Sequence, residues 1–385
     1  MDAFVLSRAR VLQWGAAFLA LCYHVRFLLF ADYAHVPHNG VALRTFYFFS
    51  SLGHEAFLVY MGAGGLLFGV MAMPRGRGGG AVVDAIAVRL RSLYWLLVPA
   101  LLLGGVLDAL GSRAFAASGV YDMVPQFQQE HLGLRSLAGN LLLLQDVAVQ
   151  GYGSNAMLFL LTYEWWACAA CAAFALGRQS GPAQGVLAWM SVAGTMSVLA
   201  PEFSGYACAW LAGLGASRCG AWRHGRVAGW LGAACCVVAI VVSRLAGARL
   251  GAMSAELVPA GRVLLDMVAS LGIGAYLLAL HGGAAPPPRY AGLRQRLTRL
   301  TPALFSVHFP VVLFVVAAAG QLLGLPLRAQ PGWPGALAFF GVVALVCLCA
   351  QGFATATAAL RRALGRVPMW IAPHCGRVRS HRRMM

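Results

Sequence analysis

The chain has 385 residues, of which 60% are apolar and only 11% are charged, and its formal net charge is +17. A soluble domain has about a quarter charged residues, so this composition excludes an ordinary soluble protein. The basic residues lie in short segments between long apolar runs, which argues against nucleic acid as a partner and for membrane lipids around the chain.

Apolar runs recur along the whole sequence, and about 20 such residues are enough to cross a bilayer as a helix. We expect about ten spans, near 11–31, 46–73, 93–110, 154–177, 185–200, 204–221, 226–246, 262–282, 303–323 and 335–358. A shorter apolar stretch, 137–149, is expected to be re-entrant or interfacial. The sequence therefore predicts an all-α, polytopic membrane protein. It has one transmembrane domain, 1–360, and a basic cytoplasmic tail, 361–385.

The arginines predict the orientation of these spans. If the N-terminus is cytoplasmic, most of the 29 basic residues fall in segments on the inner side. This asymmetry is the one that the positive-inside rule requires. An even number of spans then places both termini in the cytoplasm and the loop 111–153 outside.

Ionisable side chains within the spans are the first candidates for function, because such groups are costly in lipid and usually face a bundle interior. His24, Glu55 and Glu164 lie in three different spans, and counting residues from the predicted span ends places them within about one helical turn in depth. A shared cavity is one interpretation. The alternative is that the two glutamates pair with Arg26 or His54 and only hold helices together.

A neutral imidazole can take up a proton near pH 7 whereas a guanidinium cannot, so His24 is preferred over Arg26 as a chemical group. His308 precedes Phe309 and Pro310, and it is expected to cap backbone groups at the start of a Pro-containing helix. The pair His54-Glu55 begins like a zinc-binding H-E-x-x-H motif but lacks the second histidine, and no other spacing suggests a metal.

Several segments taken in order carry a family likeness: QWGAAFLALCYH at 13–24, LGHEAFLVYMGAGGLL at 52–67, RLR at 89–91, GNLLLLQD with YEWW within 139–166, and LFSVHFP at 304–310. Together they resemble the acyltransferase-3 family of integral membrane O-acyltransferases. The chain departs from the family pattern at four places. Gln13 stands where the family has Arg, Gly64-Gly65 replaces Ser-Gly, Phe159 replaces Trp, and Ala354 replaces Glu.

The resemblance implies an enzyme of the bacterial inner membrane. It would transfer an acyl group, most often acetyl, from cytoplasmic acyl-CoA to a hydroxyl of an extracytoplasmic glycan or glycolipid. His24 and Glu164 match the family's functional histidine and glutamate. Arg89 and Arg91 lie at the inner mouth, where donor phosphates could be held. No cofactor is expected to stay bound.

Four further residues are possible supporting groups, namely Gln13, His54, Glu55 and His308. Two other functions stay open. One is a proton-coupled transporter or flippase in which His24, Glu55 and Glu164 form a proton path. The other is an inactive family member in a glycan-assembly complex.

Overall fold

The computed structural model describes residues 3–37, 40–72, 79–123, 129–219, 226–250, 257–280 and 291–364. Within these ranges the chain forms twelve α-helices and no strand. They are α1 Ala3–Leu29, α2 Val41–Ser50, α3 Gly53–Ala72, α4 Gly79–Ala114, α5 Leu134–Leu141, α6 Phe159–Gly177, α7 Pro182–Leu199, α8 Phe203–Arg218, α9 Arg226–Leu250, α10 Leu257–Ala279, α11 Ala291–Leu323 and α12 Trp333–Leu364.

Eight of the described helices are long and apolar enough to cross a membrane, namely α1, α3, α4, α6, α9, α10, α11 and α12. This confirms a multi-pass, all-α membrane protein. Helix α7 has 18 residues and α8 has 16, and neither belongs to the eight. The count of ten spans and the cytoplasmic termini stay predictions. The predicted tail, 361–385, begins inside α12, because this helix ends at Leu364. The rest of the tail, 365–385, lies outside the described residues.

The predicted second span, 46–73, is wrong as a single helix, because it is split between α2 and α3. The split lies where the chain packs on α1: a Cβ added at Gly53 would lie 2.7 Å from Cγ of Tyr23. Helix α2 is tied to the end of α1 by the Tyr47 hydroxyl, which donates to the Ala31 carbonyl at 2.7 Å. The predicted single span is therefore a short helix followed by a spanning one, with Ser51 and Leu52 between them.

The predicted re-entrant segment, 137–149, is a short helix followed by an irregular stretch that packs on the bundle. The Trp166 indole donates to the Leu143 carbonyl at 2.9 Å, and the Tyr94 hydroxyl donates to the Leu141 carbonyl at 2.6 Å. Ser154 and Asn155 are buried. Since this loop enters the protein body, α6 begins among buried residues.

Helix α3 forms the centre of the fold together with α1, α8 and α11. Glycines let α3 and α8 approach backbone to backbone, because a Cβ added at Gly65 would meet the Trp210 carbonyl and one added at Gly213 would meet the Gly62 carbonyl. Small residues are typical of close helix contacts in membranes. By contrast, only 17% of the spanning window of α9 is buried, so α9 lies at the periphery.

Candidate active site

A cavity of about 340 Å³ opens at the end of the bundle where the arginines gather. Four elements supply most of its wall: α4, α6, α11 and α12. Its charged lining consists of Arg89, Arg299, Arg361 and Glu164. The remaining lining residues are Gln13, Tyr60, Leu67, Ser92, Leu93, Trp95, Leu96, Leu161, Pro302, Ala303, Ala354, Thr357 and Ala358. Three guanidinium groups against one carboxylate make this cavity suited to a polyanion.

Glu164 forms an ion pair with Arg89 across the cavity wall. The carboxylate side chain is only 5% exposed, whereas the arginine is 43% exposed and reaches the open space. Gln13 lies on the same level, since a Cβ added at Gly64 would lie 3.4 Å from Glu164 Oε1 and 3.6 Å from Gln13 Nε2. Neither Arg26 nor His54 is the partner of this glutamate, so that alternative is wrong for Glu164.

The predicted common depth of His24, Glu55 and Glu164 is wrong for Glu164. Glu164 lies beside Gln13, and that residue is eleven positions, or about 16 Å, below His24 along α1. The difference arises at the start of α6. The predicted depth of Glu164 is counted from residue 154, but Ser154 and Asn155 are buried inside the protein. Glu55 is buried between α3 and α9, where Ser243 Oγ donates to its Oε1 at 3.3 Å.

Only one of the two arginines predicted to hold donor phosphates lines the cavity. Arg89 lines the cavity, but Arg91 is exposed and is not among the lining residues. Arg299 and Arg361 also line the cavity and were not predicted as site residues. A signal for Arg361 was present, because Ala354, Thr357, Ala358 and Arg361 follow the i, i+3, i+4, i+7 spacing of one helix face, and all four line the cavity.

Two buried histidines face each other between α1 and α11. His308 Nε2 lies 3.2 Å from His24 Nδ1. His308 Nδ1 lies 3.0 Å from the carbonyl oxygens of Leu304 and Phe305 in its own helix. His308 thus contacts backbone groups, as predicted. It does so in mid-helix, because α11 begins at Ala291, and the predicted helix start near 303 is wrong.

These contacts assign the protons of the histidine pair. The two carbonyls can only accept, so His308 carries its proton on Nδ1 and its Nε2 is an acceptor. His24 must then donate from Nδ1, which leaves the lone pair of a neutral His24 on Nε2. The rings of Tyr23 and Phe309 pack on His24, with centroids 5.1 Å and 4.6 Å away. The pair is therefore preorganised, and His24 Nε2 is the nitrogen able to take a proton.

The histidine pair and the cavity share helices. Ala303 lines the cavity, and His308 lies five residues, or about 8 Å, further along α11. Tyr60, another lining residue, stacks on Phe305 with centroids 4.4 Å apart, and the Phe305 ring neighbours His308. An aromatic contact thus connects the arginine cavity to the histidines.

His54 belongs to a different cluster. Its Nε2 lies 2.6 Å from Oδ1 of Asp266, and its Nδ1 lies 3.2 Å from the Tyr206 hydroxyl. Sequence reasoning missed Asp266, a single acid in an apolar run whose partner is 212 residues away. Arg26 is buried with its guanidinium over the rings of Tyr23 and Tyr47, so it pairs with neither glutamate.

Three of the four departures from the family pattern surround the arginine cavity. Gln13 and Ala354 line it, and Gly64 lies against Glu164. Phe159, the fourth, packs on Phe57 and belongs to the aromatic wall of α6. Among the described residues, no group of three His, Cys, Asp or Glu side chains is arranged to hold a metal ion.

Comparison with known protein families, with characterised proteins and with solved structures gives no match. The resemblance to the acyltransferase-3 family therefore rests on the sequence segments themselves.

Proposed function

We propose that the chain is a membrane O-acyltransferase. It takes an acyl group, such as acetyl, from cytoplasmic acyl-CoA and transfers it to a hydroxyl of an extracytoplasmic glycan or glycolipid. One observation carries the proposal: an arginine-lined cavity and a preorganised histidine pair occupy successive levels of α11, and α1, which carries His24, also reaches the cavity through Gln13. The first suits a polyanionic donor, and the second suits a hydroxyl acceptor.

On the donor side, the phosphates of CoA would be bound by Arg299 and Arg361, with Arg89 held beside them by Glu164. A guanidinium offers paired N–H donors that match phosphate oxygens. The three lining arginines belong to segments that the positive-inside rule assigns to the cytoplasmic side. That is also the compartment that holds acyl-CoA.

On the acceptor side, His24 Nε2 would act as the general base. The acceptor oxygen attacks the thioester carbonyl carbon, the carbon–sulfur bond breaks, and the hydroxyl proton moves to Nε2 before it leaves with the CoA thiol. A positioned base of this kind contributes about 10²–10⁴ in rate. His24 is 6% exposed, so the acceptor reaches it only after the Tyr23 or Phe309 ring turns aside.

The transporter alternative has less support. Its proton path needed His24, Glu55 and Glu164 together, but the three side chains contact His308, Ser243 and Arg89 respectively. An inactive family member is the outcome that the following experiment separates from an enzyme.

The test is transfer of labelled acetyl from acetyl-CoA to surface glycan of the source cell by the purified protein in liposomes. We expect a labelled glycan with an acetyl-sized mass increase, and loss of labelling in His24→Gln. His35→Gln is the matched control, because His35 is an exposed histidine in the loop that follows α1.

Full activity of His24→Gln would refute the base assignment, and an inactive wild type would support the inactive alternative. A reporter fused after Met385 tests the cytoplasmic C-terminus independently.

A further inference from the structure

A linked set of three polar side chains lies apart from the arginine cavity, between α3, α8 and α10. We call it the outer triad; it consists of His54, Asp266 and Tyr206. Asp266 Oδ1 lies 2.6 Å from His54 Nε2, and the Tyr206 hydroxyl lies 3.2 Å from His54 Nδ1. The carboxylate accepts a hydrogen bond, so the neutral ring carries its proton on Nε2 and receives the tyrosine hydroxyl at Nδ1. An imidazole nitrogen of the triad is therefore already bound to a hydroxyl group.

The triad is buried on two sides and open on the third. Asp266 has a side chain that is 3% exposed, and Tyr206 is equally buried, but the His54 side chain is 28% exposed. The absence of a side chain at Gly205 makes room for the carboxylate, since a Cβ there would meet Asp266 Oδ2. A pair that only joined α3 to α10 would gain nothing from this opening, and apolar residues of similar size join helices at least as well.

The triad lies near the end of α1 that carries His24. Gly53, the residue before His54, packs directly on the ring of Tyr23, the residue before His24. The ring of Tyr206 also contacts Phe159 and Tyr163, with centroids 5.6 Å and 5.7 Å away. A ligand that enters at His54 would thus meet hydrogen-bonding groups next to aromatic rings, one helix away from the proposed base.

We infer that the outer triad is the acceptor subsite. His54 would hold a hydroxyl of the sugar ring through Nδ1 in place of the Tyr206 hydroxyl, while another acceptor hydroxyl reaches His24. With a neutral imidazole the triad carries the negative charge of the Asp266 carboxylate, so the site fits an uncharged, hydroxyl-bearing ligand and disfavours the anionic donor. This inference rests on the proposed function, since it names the acceptor-binding residue of the same reaction.

Chemical labelling tests the subsite without requiring acyl transfer. Diethyl pyrocarbonate, which reacts with accessible neutral imidazoles, is added to the outer face of sealed vesicles, and labelled peptides are identified by mass spectrometry. We expect His54 to react, the buried His24 and His308 to stay unlabelled, and surface glycan of the source cell to slow labelling of His54 at least fivefold. His35 is the internal control, and the glycan should leave its labelling unchanged.

Two substitutions separate ligand binding from a purely structural role. Tyr206→Phe removes the hydroxyl that occupies Nδ1 of His54. The labelling rate of His54 should then rise about fivefold, which corresponds to the free energy of one hydrogen bond. The KM for glycan should fall by a similar factor. His54→Gln should raise the glycan KM at least fivefold and leave the acetyl-CoA KM unchanged. A structural role predicts instead that both variants lose thermal stability and that neither KM moves selectively.

The outcomes separate this inference from the proposed function. Glycan protection of His54 in a protein that transfers no acetyl would support the subsite and refute the acyltransferase. Acetyl transfer without protection would refute the subsite alone. The acceptor subsite would also be refuted by the absence of both protection and transfer, or by a glycan KM that rises in Tyr206→Phe.

Discussion

Replacing Glu164 by glutamine should make the protein bind CoA more tightly. The Glu164 carboxylate is the one negative charge among the lining residues of the arginine cavity, and it neutralises Arg89. Glu164→Gln keeps the shape of the side chain and removes that charge. Arg89 is half-exposed, so without its partner the guanidinium is still solvated and is not a buried, unpaired cation. Its positive charge then becomes available to the donor phosphates.

The size of the effect follows from the cavity. Two unit charges about 9 Å apart, the diameter of a sphere of 340 Å³, interact by about 1 to 2 kcal/mol at an effective dielectric constant of about 20 to 40. The dissociation constant of CoA should therefore fall about 5- to 30-fold. Because the cavity is open to solvent, high salt should reduce the difference between variant and wild type.

Isothermal titration of the purified protein with unacylated CoA, at low and at high salt, measures this effect. Asp84→Asn is the matched control, because Asp84 is an exposed carboxylate on α4 that does not line the cavity, and its loss should leave affinity nearly unchanged. An unchanged or weaker affinity in a folded Glu164→Gln protein would refute the view that this cavity binds the donor by charge.

Three further predictions test other parts of the structure. Arg299→Gln should weaken CoA binding about tenfold or more, the value of a charge-assisted hydrogen bond, whereas the exposed control Arg91→Gln should not; titration checks both. His308→Phe removes the acceptor that fixes the tautomer of His24, so acetyl transfer should fall about 10²-fold. His308→Gln retains an acceptor and should keep more activity. Gly213→Ala forces α8 away from the backbone of α3 and should destabilise the protein by about 1–3 kcal/mol in thermal melts, whereas Gly215→Ala, with open space around it, should not.

The all-α membrane fold could be predicted because the spacing and length of apolar runs directly reflect the bilayer. The break inside the predicted second span was missed, although Ser50, Ser51 and Gly53 are residues typical of turns. The packing of Gly53 on α1 then fixes where α3 begins. The early starts of α4 and α11 were missed as well, because charged residues interrupt the apolar pattern ahead of the predicted spans: Asp84, Arg89 and Arg91 in α4, and Arg294, Arg296 and Arg299 in α11.

A candidate site residue could be predicted where its side chain is unusual for the segment around it. It could not be placed where its role depends on its depth in the bundle or on a distant partner. His24 is conspicuous as an imidazole in an apolar helix. Its partner His308 was named too, but their contact joins residues 284 positions apart and needed the fold. Glu164 was recognised but placed too near the outer surface, because a loop that hydropathy assigns to the outside folds into the bundle.

The positions at which the chain departs from the acyltransferase-3 pattern bear on whether the proposed donor site could still bind an anion. Considered alone, Gln13 in place of an arginine removes one positive charge from the cavity wall. Ala354 in place of a glutamate removes one negative charge from the same wall, so the two changes offset each other. Arg299 and Arg361 then supply the excess positive charge, and Glu164 stays paired with Arg89. The departures therefore argue that the proposed donor site has an altered shape and keeps its attraction to an anion.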